Sequence, residues 1–432
     1  MRGYYTWRDI PSLLRTSMGR RHLRIAILRR LWPLLQRLAM IYRRMALRHT
    51  RLVVVTGSFG KTTTARTISV ALGGTDQDVN SYNFKSYVAL AILKTPPWRR
   101  FAVIEAAIDG VGQMIQYAKM IRPDVAVVTC IGSEHSRSLG SIQSTRNEKV
   151  KILAGFPPGG VAVLNGDDPN VRWMATQTQN RIITFGFGEM NEVRASHLTL
   201  NWPKGTQFKV HANGKTCEMS VRLLGRHMVY PILAAIATAL AEGFPLEQIL
   251  PPLEMLSPTP GRLEPIRLPS GALILRDDFK SPLETIDAAL DVLGKIPAKE
   301  RVVVLGDISE PFGRQWQIYR RVGERIAQVA TKAIFITGKF RAYAAGARSA
   351  GLPSSSLVDA GKSFLEAIEA LRQDLGPGNV ILIKGRDTQR LDRITLSLMG
   401  RTVRCKLTFC NTWAFRCEHC PMLERDGREK TS

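Results

Sequence analysis

The sequence predicts an α/β protein with two parallel-sheet units, framed by a basic helical segment at the N-terminus and a cysteine-rich tail at the C-terminus. Three observations carry this reading. Apolar, strand-like runs alternate with helical stretches over residues 49–257. A glycine-rich turn, Gly57-Ser58-Phe59-Gly60-Lys61, closes the first apolar run and leads into a helical stretch. After Ser257-Pro258-Thr259-Pro260-Gly261, a hinge-like sequence, the alternation restarts in a second, smaller unit. At 432 residues the chain is long enough for two or three domains with real cores.

The N-terminal segment, residues 1–48, is defined by charge. The net charge is +25, and residues 1–51 alone hold 13 arginines, no lysine and one acid, Asp9. Such a block seeks a polyanion. From His22 to Arg48 apolar and basic residues interleave at helical spacing, with Pro33 as a kink. No apolar run reaches the ~18 residues of a membrane-spanning helix, and the start has no signal-peptide core. Two arrangements fit: an amphipathic helix lying on an anionic membrane, or a helix packed on the body with its arginines in water. The expected location is the cytoplasm, peripheral to the inner face of a membrane. Nucleic acid is a poor partner here, because no recognition fold is visible and few aromatics interleave for stacking.

In the first unit, residues 49–257, the candidate strands are Leu52–Val55, Phe101–Ile104, Val125–Val128, Val161–Leu164 and Arg181–Phe185. Ser196 to Val221 alternates polar and apolar residues, as an antiparallel excursion would, and an alanine-rich helix follows from His227 to Ala241. The turn after the first strand is a phosphate cradle. Its glycines let backbone N–H groups converge on phosphate oxygens, and the helix opening at Lys61 adds positive potential. The interval from Gly57 to Lys61 is shorter than in the general pattern. Gly57, Ser58, Phe59, Gly60, Lys61, Thr62 and Thr63 are the candidate nucleotide-binding residues; Lys61 would reach the β/γ-phosphates and Thr62 would hold Mg²⁺. A metal needs further oxygen ligands. Glu105 ends an apolar strand, His135 follows another in Ser133-Glu134-His135, and Lys149 comes fourteen residues later.

The second unit, residues 258–400, has buried-type strands at Ala272–Leu275, Val302–Leu305, Ala333–Ile336 and Val380–Ile383, and is Rossmann-like in outline without a Gly-x-Gly-x-x-Gly turn. Cys130 and Cys217 read as core thiols. The tail, residues 401–432, is β-like at first and then carries Cys405, Cys410, Cys417 and Cys420. Four thiols this close fit a structural Zn²⁺ or an iron–sulfur site, or reduced, unliganded thiols.

Taken in order, these residues resemble the Mur ligase family of ATP-dependent amino-acid and peptide ligases. The run Thr56-Gly57-Ser58-Phe59-Gly60-Lys61-Thr62-Thr63-Thr64 is similar to the family's TGTNGKTTT. The family's metal-binding glutamate and histidine match Glu105 and His135, and its carbamylated, metal-holding lysine matches Lys149. Asn165-Gly166-Asp167-Asp168 resembles the family's Asn-Ala-Asp-Asp turn. Gly261-Arg262-Leu263-Glu264 resembles the start of its C-terminal domain. Asp277-Asp278, Leu305-Gly306-Asp307 and Lys384-Gly385-Arg386 are closest to the branch that adds D-alanyl-D-alanine. The likeness spans roughly residues 50–400.

The resemblance implies ATP and Mg²⁺, a carboxylate and an amine as substrates, and an amide bond made through an acyl phosphate. Lys61, His135 and Lys149 become the candidate catalytic residues, with Thr62, Glu105, His135 and Lys149 at metal. Arg262 joins the ATP site, and Asp277, Asp278, Lys384 and Arg386 become the candidate substrate residues. Departures are clear too. The family's His-Asn-x-x-Asn reads His227-Met228-Val229-Tyr230-Pro231, and its N-terminal UDP-sugar domain has no counterpart before Leu52. Two other readings stand beside the ligase: a non-catalytic membrane scaffold of the same fold, and a membrane-associated P-loop ATPase switch.

Overall fold

The computed structural model describes residue 14 and residues 17–79, 85–133, 139–311, 313–410 and 416–424. Two helices come first, α1 Ser17–Arg30 and α2 Trp32–Met45. The break between them falls at Leu31, and Pro33 sits in the first turn of α2. Proline's missing N–H costs nothing there, so it starts a helix where the sequence had suggested a mid-helix kink. α2 is seated on the body. Its Arg43 is buried and donates to the carbonyls of Ile121 (2.9 Å), Leu47 (2.6 Å) and Arg122 (3.1 Å) and to Asp124 at 2.8 Å. Tyr42 donates to the Thr95 carbonyl at 2.9 Å. α2 thus packs on the body through one face.

The first unit runs β1 Arg51–Thr56, α3 Lys61–Ala71, α4 Lys85–Lys94, β2 Phe101–Glu105, α5 Gln113–Ile121, β3 Val125–Val128, α6 Ile142–Lys149, β4 Val161–Asn165, α7 Pro169–Met174 and β5 Arg181–Gly186. β6 Val193–Asn201, β7 Gly205–Ala212 and β8 Lys215–Val221 follow, then α8 Arg226–Ala241 and α9 Leu246–Glu254. The strands form one sheet in the order β2-β1-β3-β4-β5-β6-β7-β8, parallel as far as β6 and antiparallel beyond it. Alternate residues of β1 serve opposite faces. Val53 and Val55 enter the core under α3 and α8, while Leu52 and Val54 enter the core under α2 and α5. A strand buried on both faces must be apolar at every position, which is why β1 reads as a continuous Leu-Val-Val-Val run. Strand order reverses around β1, and that switch point opens the crevice beyond the strand ends.

The second unit runs β9 Glu264–Arg267, β10 Leu273–Asp277, α10 Leu283–Lys295, β11 Arg301–Leu305, α11 Gln315–Ala327, β12 Lys332–Phe335, α12 Phe340–Ser349, β13 Leu357–Asp359, α13 Phe364–Leu371, β14 Val380–Lys384 and α14 Asp392–Leu398. Its sheet order is β13-β12-β11-β14-β10-β9, parallel except for β9. The described part of the tail forms no strand, contrary to the β-like reading of its sequence. It is held as a coil: the Leu423 carbonyl accepts from the N–H groups of Arg404 and Cys405. Among the described residues no helix is long and apolar enough to cross a membrane.

Candidate active site

The phosphate loop is clamped from three sides. Gly57 has φ +142°, and a Cβ there would stand 1.9 Å from the Thr129 hydroxyl. Only glycine fits that approach. Thr129 in turn donates to the Phe59 carbonyl at 2.6 Å, and the Ser58 N–H donates to the Cys130 carbonyl at 2.7 Å, so the end of β3 fixes the loop. Gly60, with φ +78°, turns the chain into α3.

Within this frame four predicted residues converge. Lys61 is buried, and its ammonium donates to the carbonyls of Gly57 at 2.9 Å and Ser58 at 2.8 Å. The Thr62 hydroxyl donates to Glu105 Oε2 at 2.8 Å. Glu105 reaches it because β2 pairs in parallel with β1, setting Glu105 opposite Val55. Lys149, at the end of α6 and fully buried, donates to the Ser58 hydroxyl at 3.1 Å; the Gly132 N–H donates to the same oxygen at 2.9 Å. The Thr62 hydroxyl and Glu105 carboxylate are hard oxygen donors side by side, which fits Mg²⁺. The amine of Lys149 as it stands would repel a cation. His135 lies outside the described residues.

Arg262 and Arg386 line the same cavity as Lys61, Thr62 and Glu105; its volume is about 2140 Å³. The Arg262 guanidinium lies 4.9 Å from the centre of the Phe279 ring, and Arg416 of the tail lies 5.4 Å from that ring. Arg66, Asp109, Arg416 and His419 also line the cavity, and the sequence had not singled them out. A run such as Lys61-Thr62-Thr63 announces itself by its neighbours; these four come together only through tertiary packing. The hinge touches the loop helix directly, since the hydroxyls of Thr63 and Thr259 lie 3.2 Å apart.

The other candidate substrate residues are placed elsewhere. Asp277 and Lys384 stand opposite each other on β10 and β14 and form a buried ion pair. Lys384 also donates to the Lys280 carbonyl at 3.0 Å. Burial pulls its pKa down, and Asp277 opposes that. Asp278 is buried with Arg276 at 2.9 Å. Burial raises Asp278 to about 6, with the nearby Asp392 adding to the rise and Arg276 opposing it. None of the three lines the cavity. Arg276 itself also pairs with Glu418 of the tail and faces Glu264 at 3.6 Å and Asp392 at 3.9 Å.

His227 lies partly buried between the units, and burial pushes its imidazole down to about 4. Tyr230, just before Pro231, which stands where the family pattern has its second asparagine, donates to Asp167 Oδ2 at 2.9 Å. Burial would raise Asp167, but the N–H groups of Phe187 and Gly188, with Tyr230 and Asn191, bring it below the ordinary carboxylate range. Asp168 of the same turn accepts from the Ile131 N–H at 2.7 Å, tying the turn to the loop after β3.

The zinc expected at the tail is not built. Cys405, Cys410, Cys417 and Cys420 form no disulfide, and no three His, Cys, Asp or Glu side chains among the described residues are placed to share a metal. Burial raises the Cys417 thiol, and its backbone N–H is spent on Asp392 at 2.9 Å.

Comparison with known proteins agrees with this geometry. Residues 55–239 match the Mur ligase middle domain and residues 261–386 match the Mur ligase glutamate ligase domain. The chain is 28% identical over 294 residues to UDP-N-acetylmuramoyl-tripeptide–D-alanyl-D-alanine ligase of Escherichia coli strain K12, covering 67% of this chain and 65% of that enzyme. It is 28% identical over 358 residues to the enzyme of that name from Bacillus subtilis strain 168, covering 81% of this chain and 76% of the relative. A crystal structure of MurF from Acinetobacter baumannii superposes with a TM-score of 0.75 at 26% identity, covering 85% of this chain and 80% of that one. The chain thus spans just under two-thirds of the Escherichia coli relative's length.

Proposed function

Given that the chain belongs to the Mur ligase family, we propose that it joins a carboxylate to an amine, driven by ATP, in the synthesis of a cell-wall polymer. The observation that carries this is the convergence of Lys61, Thr62, Glu105 and Lys149 at one loop from three separate elements, α3, β2 and α6. Non-catalytic scaffolding gives no reason to keep that set, and a P-loop switch needs neither Lys149 nor the second α/β unit.

The substrate carboxylate attacks the γ-phosphorus of ATP; the bond to the leaving ADP oxygen breaks and an acyl phosphate forms. The amine nitrogen then adds to the acyl carbon, and the tetrahedral intermediate expels phosphate. Lys61 moves from the Gly57 and Ser58 carbonyls to the phosphate and offsets its growing charge. Thr62 and Glu105 would hold a Mg²⁺, which when bound would supply positive charge to the phosphate oxygens. His135 with Lys149 would hold a second Mg²⁺ if Lys149 carries a carbamate, which turns the repelling ammonium into an anion. Arg262 and Arg386 bind from the second unit and help exclude water that would hydrolyse the acyl phosphate. Zinc has no part in this reading.

Peripheral contact with an anionic membrane belongs to the same proposal. Leu34, Leu38, Ile41 and Met45 stay exposed along α2, at spacings of 4, 3 and 4 residues, beside Arg37 and Arg44.

The test is phosphate release with UDP-N-acetylmuramoyl-tripeptide and D-alanyl-D-alanine, the substrates in the relatives' names, with Lys61→Ala as control. Release that requires both substrates and is lost in the control supports the proposal. Turnover indifferent to carboxylate and amine would overturn it in favour of the switch.

A further inference from the structure

The cavity is too large for one nucleotide. Ligand pockets typically measure about 300–1,000 Å³, whereas this one reaches about 2140 Å³ and extends from Lys61 to a wall formed by α1 and α4. That wall is cationic: Arg20, Arg24 and Arg29 of α1 line it with Lys85 and Lys94 of α4. α1 and the start of α2 are tied down there, since Ser86 donates to the Leu28 carbonyl at 2.8 Å and the Lys85 ammonium lies 6.0 Å from the Trp32 ring centre. Asp76 and Asp78 also line the cavity, but they are held by Arg66 and by Arg99. The three arginines lie outside both matched family regions.

Clustered guanidinium forks and ammonium groups at the wall of a cavity concentrate anions, and the fork geometry of arginine matches phosphate oxygens. The spacing adds a second point. Exposed Ile27, Leu31, Leu34, Leu38, Ile41 and Met45 recur every three or four residues, and the same spacing continues backwards to Arg24 and Arg20. Across α2 and α1 this row thus passes from an apolar stripe into the cationic wall, an order that suits an anionic group carried on an apolar chain.

We propose that Arg20, Arg24 and Arg29, with Lys85 and Lys94, form a subsite for the diphosphate of a diphosphate-linked carboxylate substrate, whether its carrier is a nucleoside or a lipid. This rests on the ligase reading for the identity of the substrate, but the subsite itself does not depend on turnover.

The experiment is calorimetric titration of the full chain, saturated with a non-hydrolysable ATP analogue and Mg²⁺, using inorganic pyrophosphate as the probe. Parallel titrations use UDP and a short polyprenyl diphosphate in detergent. The variants are Arg20→Gln/Arg24→Gln/Arg29→Gln and, separately, Lys85→Gln/Lys94→Gln. The expected result is pyrophosphate binding beside the analogue, weakened at least tenfold in both variants, with analogue affinity unchanged within twofold. That unchanged affinity also shows that the variants fold. Binding of UDP alone identifies a nucleoside carrier, and binding of the polyprenyl compound alone a lipid carrier. The proposal is overturned if pyrophosphate competes with the analogue, if the variants bind it as well as the parent, or if neither carrier compound binds. It is also overturned if carrier-free anionic vesicles account for all binding by the arginines. Failure of the analogue itself to bind would contradict the ligase reading, and pyrophosphate titrated without it would still decide the subsite.

Discussion

Lys61 donates to two loop carbonyls and faces the cavity, so shortening it to alanine removes a cation from the phosphate end without opening the core. We expect Lys61→Ala to lower substrate-dependent phosphate release by ~10²–10³-fold, as removal of one stabilising charge or donor does elsewhere, while the melting temperature stays near that of the parent. His227 makes a different kind of test. Its imidazole is held at about 4 by burial, so in the fold it stays neutral. Below the ordinary histidine value the unfolded chain takes a proton that the fold refuses, so stability falls as pH drops from ~6.5 towards 4. The loss reaches roughly 3 kcal/mol at its limit, and His227→Gln should remove that share; equal acid sensitivity of both proteins in urea melts at pH 7 and 4.5 would refute the assignment. Lys61, Thr62 and Glu105 were legible in the sequence because a strand, a glycine turn and a strand-terminal acid are local patterns. The mutual pairing of Asp277 with Lys384 was not, because it depends on β10 and β14 being neighbours across 107 residues of chain.

The elements differ in how plainly the sequence announced them. Fully buried strands such as β1, β3 and β14 are unbroken apolar runs, and such runs have few other uses in a domain of this size. β9, with Pro265 in its short length, was missed because an edge strand tolerates a proline that would argue against a central one. The tail misled by its composition: its described residues form no strand and are held by the Leu423 carbonyl and by side chains, above all Arg276 with Glu418. Replacing Arg276 by methionine leaves buried Asp278 without its cation and frees the tail, a change expected to cost ~3–5 kcal/mol. Chemical denaturation reads the loss directly, and a loss below about 1 kcal/mol would mean the network is dispensable. For α2, Leu34→Glu with Leu38→Glu alters only exposed positions. Flotation on anionic liposomes should fall sharply in that variant, and unchanged flotation would remove the membrane contact from the account.

Across the whole molecule, the two units meet where the chemistry is proposed to occur. Glu284 of α10 accepts from the Ser133 N–H at 2.9 Å and from its hydroxyl at 2.8 Å, gripping the first unit's loop just before His135. Glu284→Gln keeps the size and weakens the grip, so turnover with substrates should drop several-fold while affinity for ATP alone stays unchanged; equilibrium binding alongside steady-state kinetics separates the two. Domain order was readable from the restart of strand–helix alternation after Gly261, but this contact was not, because no local pattern in either segment marks it. The central claim is that a carboxyl group is activated by phosphoryl transfer. Supplying the tripeptide substrate with ¹⁸O in its reacting carboxylate and weighing the phosphate released tests it most directly. The account predicts that each phosphate carries one labelled oxygen taken from the carboxylate; phosphate released without label would contradict it.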